Sequence, residues 1–102
     1  MVPGEDEPID GSDARELPID GILDLHTFRP ADTVTLVPEY LEECRLRGIL
    51  DVRIIHGKGT GRLRDTVRRI LLEHPAVLSF QTPSDASGWG ATVVRLKPVV
   101  PK

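Results

Sequence analysis

The chain is poor in the groups that staple small proteins or seat them in lipid. Cys44 is its only cysteine in 102 residues, so no disulfide closes within it and a structural zinc site lacks its thiolate partners. No apolar run approaches the roughly 20 residues that a spanning helix needs, which excludes a helical membrane protein. The N-terminus has no basic-then-apolar segment of the secretory kind. The expectation is a cytoplasmic, disulfide-free domain with no membrane partner. A Walker A loop is also missing, because no Gly-Lys-Ser/Thr stands four residues beyond a first glycine. So is the full Gly-x-Gly-x-x-Gly spacing of dinucleotide sites, which leaves a nucleotide-cofactor reading weak. No internal repeat is detectable.

What is present suits one small globular domain: 39% of the residues are hydrophobic, and two cores in this length would each be too small. The formal net charge of −3 hides an uneven distribution. Of the 16 acids and 13 bases, seven acids but only Arg15 among the bases fall in residues 1–20, leaving nine acids and twelve bases from Gly21 onward. Lys58, Arg62, Arg64, Arg68 and Arg69 crowd into twelve residues opposed only by Asp65, a concentrated basic patch. Residues 1–16 are polar, acidic and aperiodic and read as a flexible leader. The domain is expected over 17–98, with a tail at 99–102.

Within that span "GILDLH" offers a short apolar strand ending at His26. Pro30 to Arg47 shows helical spacing, with Val34, Val37, Leu41 and Cys44 at steps of three and four and Gly48 as the stop. Pro38 lies inside it and predicts a kink or a later start. "VRIIH" is a second strand, whose continuous β-branched run suggests cover on both faces or a central place in the sheet. Leu63, Val67, Ile70 and Leu71 define a second amphipathic helix that Pro75 ends. "AVLSFQT" and "ATVVRL" are two more strands, joined by "PSDASGWG" around the single Trp89. The order β-α-β-α-β-β predicts an α/β fold of the two-layer α+β sandwich kind. In it a four-stranded mixed sheet, with parallel pairing through crossovers, is covered on one face by two helices.

His26 and His56 stand at the C-terminal ends of the first two strands, the edge where open α/β sheets bind ligands. Asp24, two residues before His26, projects from the same face of an extended strand, roughly 7 Å away. Two imidazoles suit phosphodiester cleavage, because an unperturbed pKa near 6.5 lets one act as base and the other as acid. The carboxylate could orient a ring, set its tautomer or contribute to a metal site. The competing structural reading has Asp24 capping a turn, His26 as a strand-end hydrogen-bonder and His56 bracing the loop that follows. In that loop, Gly57, Gly59 and Gly61 let backbone approach a ligand closely. With Lys58, Thr60, Arg62 and the positive end of the next helix they make an anion site. Arg64 and Arg68 share a helix face at i, i+4 and continue from the loop, which favours a polyanion. Trp89 is a candidate for stacking on an unpaired base or, equally, for capping the sheet edge. Cys44, on the apolar helix face, is expected in the core.

"LDLH", then a helix, then "IIHGKGTGRLR", then "GWGATVVRLK" together resemble the small MutS-related (Smr) domain family over about Gly21–Lys97, with the chain as a short standalone member. The resemblance implies a fold similar to the C-terminal domain of translation initiation factor three. It also implies nucleic-acid binding with nuclease activity on DNA or RNA. The family's Asp-Leu-His motif falls on Asp24 and His26, and its His-Gly-x-Gly motif on His56, Gly57 and Gly59. Thr27, where the family commonly has glycine, and Trp89, in its final glycine turn, depart from the pattern. The leading expectation is an endonuclease in which His26 and His56 move protons, Asp24 orients one of them, and Lys58 and the arginines supply affinity for RNA or DNA. RNA carries its own 2′-OH nucleophile. DNA would need an activated water, for which a divalent ion such as magnesium is the one cofactor in view, although a single carboxylate is a meagre magnesium site. No residue is therefore assigned as a metal ligand. The alternative is a non-catalytic module that docks on nucleic acid or the ribosome.

Overall fold

The computed structural model describes residues 18–85 and 88–100. The expected leader, residues 1–16, lies outside the described residues, as do the last two positions of the expected tail. Along the chain run β1 (Ile22–Asp24), α1 (Pro30–Leu46), β2 (Asp51–Ile55), α2 (Arg62–Glu73), β3 (Val77–Gln81), a 3-10 turn (Gly88–Gly90) and β4 (Ala91–Leu96). This is the expected β-α-β-α-β-β order. The sheet order is β1-β2-β4-β3. β1 and β2 pair in parallel with Asp24 opposite Ile55, as a helical crossover demands. β4 enters between β2 and β3 and is antiparallel to both, so the sheet is mixed.

One face of the sheet carries the core. Leu23, Val52, Ile54, Val94 and Leu96 pack against Val37, Leu41 and Cys44 of α1 and Val67 and Leu71 of α2. Among the described residues the other face is uncovered, and it bears Ile22, Arg53, Ser79, Gln81, Val93 and Arg95 around a shallow depression of about 410 Å³. β2 is central, but its burial alternates, with Val52 and Ile54 inside and Arg53 and Ile55 half-exposed. Its apolar continuity therefore reflects the central position and not cover on both faces. Two arginines stand on the open face and are ion-paired: Arg95 with Asp51 at 2.8 Å and Arg53 with Asp85 at 2.7 Å.

Two details of α1 differ from the sequence pattern. Val34, expected on the apolar stripe, is 57% exposed, and Thr33 is fully buried in its stead. The Thr33 hydroxyl donates to the Arg29 carbonyl at 3.4 Å, which meets its own polar requirement. Pro38 neither delays nor ends the helix, which begins with Pro30 at its first turn and runs on to Leu46. The carbonyl that loses its donor to Pro38 belongs to Val34, on the solvent side, where water serves it. The helix closes at Gly48 (φ 80°), with Gly48 N–H bonded to Arg45 O at 3.0 Å and Ile49 N–H to Cys44 O at 2.8 Å, a Schellman ending.

Tyr40 fixes the start of β1. Its hydroxyl is buried, accepts the Gly21 N–H at 3.2 Å and donates to the Ile22 carbonyl at 3.1 Å. Burial is the main cause that pushes its pKa up to about 12.

Candidate functional site

β1 stops at Asp24 because the carboxylate turns the chain. Asp24 Oδ1 accepts the His26 backbone N–H at 3.0 Å and the His26 Nδ1 at 2.6 Å. The separation expected from an extended strand is thus closed to direct contact. A carboxylate only accepts at neutral pH, so Nδ1 donates to it, and Nε2 is the nitrogen that holds the lone pair in the neutral form of the ring. The same hydrogen bonds from His26 hold the Asp24 carboxyl below its ordinary value. The His26 side chain is 71% exposed, and among the described residues its Nε2 has no partner.

His56 follows β2 and is different in every respect. It is only 6% exposed. Its Nδ1 lies 3.0 Å from the Gly57 carbonyl, which only accepts, so Nδ1 is the protonated nitrogen. Nε2 must then accept, and the Thr92 hydroxyl donates to it at 2.9 Å. Burial pushes the ring's pKa below its ordinary value, against the Gly57 hydrogen bond and with help from the Arg64 and Arg68 charges. His56 is neutral and engaged at both nitrogens, the arrangement that the structural reading expects of a residue bracing the loop.

The glycine loop is tied down by the residue that leads into β4, the neighbour of β2 in the sheet. The carbonyl of Gly90 accepts both the His56 N–H at 3.0 Å and the Gly57 N–H at 2.8 Å. A Cβ on Gly90 would stand 3.2 Å from the Lys58 Cγ, so a side chain there would make the Lys58 stem shift by a few tenths of an ångström. Gly61, left-handed at φ 89°, forms the N-cap of α2 and has no side chain of its own to cap that end. Thr60 Oγ1 accepts the Arg62 N–H at 3.3 Å. Lys58, Gly59, Thr60 and Arg62 are exposed. Together with His56, Gly61, Arg64 and Pro30, at the end of the β1–α1 loop, they line an open depression of about 280 Å³. The larger depression on the sheet face contains neither histidine nor any of the loop glycines, so the smaller one is the place with chemistry to offer.

On α2, Arg64 and Arg68 are not the freely solvated face that their spacing suggests. The Arg64 guanidinium stands 5.8 Å from the centre of the Trp89 ring and that of Arg68 5.4 Å from the Phe80 ring. Arg68 Nη2 also donates to Thr82 Oγ1 at 2.7 Å. The Nε atoms of both arginines are buried without a partner among the described residues. Burial and the neighbouring Arg64 lower the pKa of Arg68. Arg62, on another face, remains exposed, as does much of the Trp89 ring at 41%.

Parallel pairing therefore brings His26 and His56 to one end of the sheet, where each ring is held by different residues. The glycine loop, Lys58, Arg62, Arg64 and Trp89 do gather there. Arg68 lies one helical turn further on, against β3. Thr92, Phe80 and Thr82 went unnoticed in the sequence, because threonine and phenylalanine are ordinary strand formers and only the β4 register reveals whom Thr92 faces. The donor set does not fit a dedicated magnesium site. Asp24 is a lone carboxylate with Oδ1 already accepting twice, and among the described residues no three His, Cys, Asp or Glu side chains gather to hold a metal. Cys44 is buried as expected, and its thiol pKa is raised, chiefly by that burial. Among the described residues no helix is long and apolar enough to cross a membrane.

Known proteins share both the sequence and the architecture. The Smr domain model matches residues 23–97. Endonuclease MutS2 of Staphylococcus carnosus is 43% identical over 77 residues, which make up 74% of this chain and 10% of that protein. Endonuclease MutS2 of Thermus thermophilus is 40% identical over 77 residues, with the same coverage of 74% and 10%. The chain thus spans about a tenth of the length of these curated relatives. The crystal structure of the Smr domain of Thermus thermophilus MutS2 matches with a TM-score of 0.71 at 40% identity, covering 76% of this chain and 98% of that one. YdaL, a stand-alone small MutS-related protein from Escherichia coli, matches with a TM-score of 0.70 at 26% identity, covering 82% of this chain and 70% of its own.

Proposed function

This chain belongs to the Smr domain family, and from that premise we propose that it binds nucleic acid and cleaves the phosphodiester backbone of RNA or DNA. The observation that carries this reading is the exposed Asp24–His26 pair, 2.6 Å apart, at the end of a strand whose parallel neighbour opens into the cationic glycine loop. Asp24 holds the Nδ1 proton of His26, so that Nε2 accepts a proton from the attacking oxygen while the carboxylate stabilises the imidazolium that forms. In RNA that oxygen is the 2′-OH adjacent to the scissile phosphate. The new P–O bond forms as the 5′-oxygen leaves with the electron pair of the broken one, and that oxygen takes a proton from water or from the imidazolium. In DNA the attacking oxygen would come from water. The loop N–H groups, the N-terminal end of α2, Lys58 and Arg62 would hold phosphate. His56 keeps the loop in shape through Gly57 and Thr92 and takes no proton itself.

The engagement of both His56 nitrogens also favours a second reading: the same surface docking on structured RNA, such as the ribosome, or on DNA without turnover. One experiment separates the two. End-labelled single-stranded RNA and supercoiled DNA are incubated with wild type, His26→Ala and Asp24→Asn, with and without chelator. Cleavage lost in both variants and indifferent to chelator is the expected result. Intact binding with no cleavage by any of them selects the docking module. Equal cleavage by wild type and His26→Ala sinks the proposed site.

A further inference from the structure

We propose that Trp89 is a stacking platform for one unpaired base, so that the site prefers single-stranded or locally opened nucleic acid to continuous duplex. This rests on the nucleic-acid reading above and adds a substrate class to it. Trp89 is the only tryptophan of the chain, yet it takes no part in the core and is 41% exposed. An indole is a large surface to leave in water, and one displayed beside an anion site is placed where bases stack.

The ring is held rather than dangling. It occupies the centre of the 3-10 turn Gly88–Gly90, which is pinned at one end by the Gly88 N–H to Asp85 O bond of 3.1 Å. At the other end Gly90 O takes the N–H groups of His56 and Gly57. The indole is thereby coupled through backbone to the phosphate loop. Its Cζ3 edge reaches the N-cap of α2, where a Cβ on Gly61 would lie 3.7 Å away, and Arg64 sits 5.8 Å from its centroid. The guanidinium steadies the ring and adds positive charge where a base and its phosphate would enter. The next pair along the helix, Arg68 and Phe80, shows the contrast: Phe80 is packed against the core, so only Trp89 offers a ring. A base inside a duplex is already stacked on its neighbours and would have to be unstacked to use the platform, at a cost of about a few kcal/mol. A free base has no such cost, and every base has a π-face, so the preference is for strandedness rather than sequence.

The test uses fluorescently labelled single strands, the same backbones with abasic residues, and the matching duplexes, in RNA and DNA versions with chelator present. Affinity is read by anisotropy for wild type, Trp89→Phe and Trp89→Leu. The expected result is a loss of about 5- to 150-fold for Trp89→Leu on the base-bearing single strand. The abasic strand should change by less than about twofold, and Trp89→Phe should fall between. In wild type, base-bearing strands should quench the Trp89 fluorescence and abasic strands should not, a readout that needs no variant to fold. Equal losses on base-bearing and abasic strands would mean that Trp89 only supports the loop and would overturn the proposal, as would quenching by neither. Failure of folded wild type to bind any strand would overturn the nucleic-acid reading itself. That outcome is distinct from uniform binding with no base effect.

Discussion

Replacing Thr92 by valine isolates the hydrogen bond on which the loop geometry depends. Thr92 is fully buried and His56 nearly so, with Thr92 Oγ1 at 2.9 Å from the ring Nε2. Valine has the shape of threonine, so no cavity opens and the backbone of β4 keeps its preference for β-branched residues. What is lost is one donor, and what remains is a buried Nε2 lone pair with no partner, a state that costs about 1–3 kcal/mol. Out of a total stability of about 5–15 kcal/mol that is a large share. At about 4–8 °C per kcal/mol for a domain of this size, Tm should fall by about 4–24 °C. Urea denaturation followed by circular dichroism gives the free energy directly. A cycle with His56→Ala tells whether the two side chains are coupled, with about 0.5–3 kcal/mol of interaction expected. A Thr92→Val protein within about 0.3 kcal/mol of wild type, or a cycle that is simply additive, would mean that this hydroxyl does not hold His56.

The buried, neutral His56 also makes stability depend on pH. Its folded pKa is depressed, mainly by burial, so below the ordinary value of about 6.5 the unfolded chain binds a proton that the fold refuses. Stability is then present above that pH and lost on acidification through it. Tm measured from pH 7.5 down to 5 should decline in wild type and much less in His56→Gln, and parallel curves would refute the assignment. Lys58→Gln and Arg62→Gln, both at exposed positions, should each lower the slope of log affinity against log salt by about one. An unchanged slope would remove that residue from the phosphate contacts. Asp24→Asn should leave binding intact while cutting cleavage by about 10²–10⁴-fold, since the imidazolium loses its counter-charge. Tyr40→Phe should cost about 1–3 kcal/mol by orphaning the Gly21 N–H, measured by denaturation, without altering nucleic-acid affinity.

The elements of the fold were legible because periodicity and punctuation agreed. The α2 stripe of Leu63, Val67, Ile70 and Leu71, the stop at Gly48 and the turn-rich segment before β4 each point the same way as their neighbours. The failures are local and share one cause. Val34 and Thr33 differ by one step around a helix, and a hydropathy pattern assigns the core place to valine. The hydroxyl of Thr33, closed onto the Arg29 carbonyl, is as well hidden as a methyl. Thr92 and the arginine–aromatic pairs depend on which strand lies beside which. The insertion of β4 between β2 and β3 is a fact of tertiary pairing that no window of the chain contains.

The two histidines make the same point at the site itself. In the sequence they are equivalent, each ending a strand of one parallel pair. Side chains alternate between the faces of a sheet, so a difference of one residue in where the histidine falls reverses its surroundings. Asp24 and Ile55 are register partners. The next position holds Leu25 on β1's side and His56 on β2's, and both are buried. His26 comes one residue later, beyond the core layer, where Asp24 turns the chain and leaves the ring in solvent. The buried ring could be accommodated only by giving both nitrogens internal partners, which Gly57 and Thr92 supply, and a ring so satisfied is unfit to exchange protons. The exposed ring has one nitrogen fixed by a carboxylate and the other open. The proposed division of labour between a bracing and a reacting imidazole would follow from this parity. Moving that histidine inward by one residue, by His26→Leu with Leu25→His, should therefore place a ring without partners in the core at the fully buried Leu25 position and lower Tm, whereas His26→Leu alone should not.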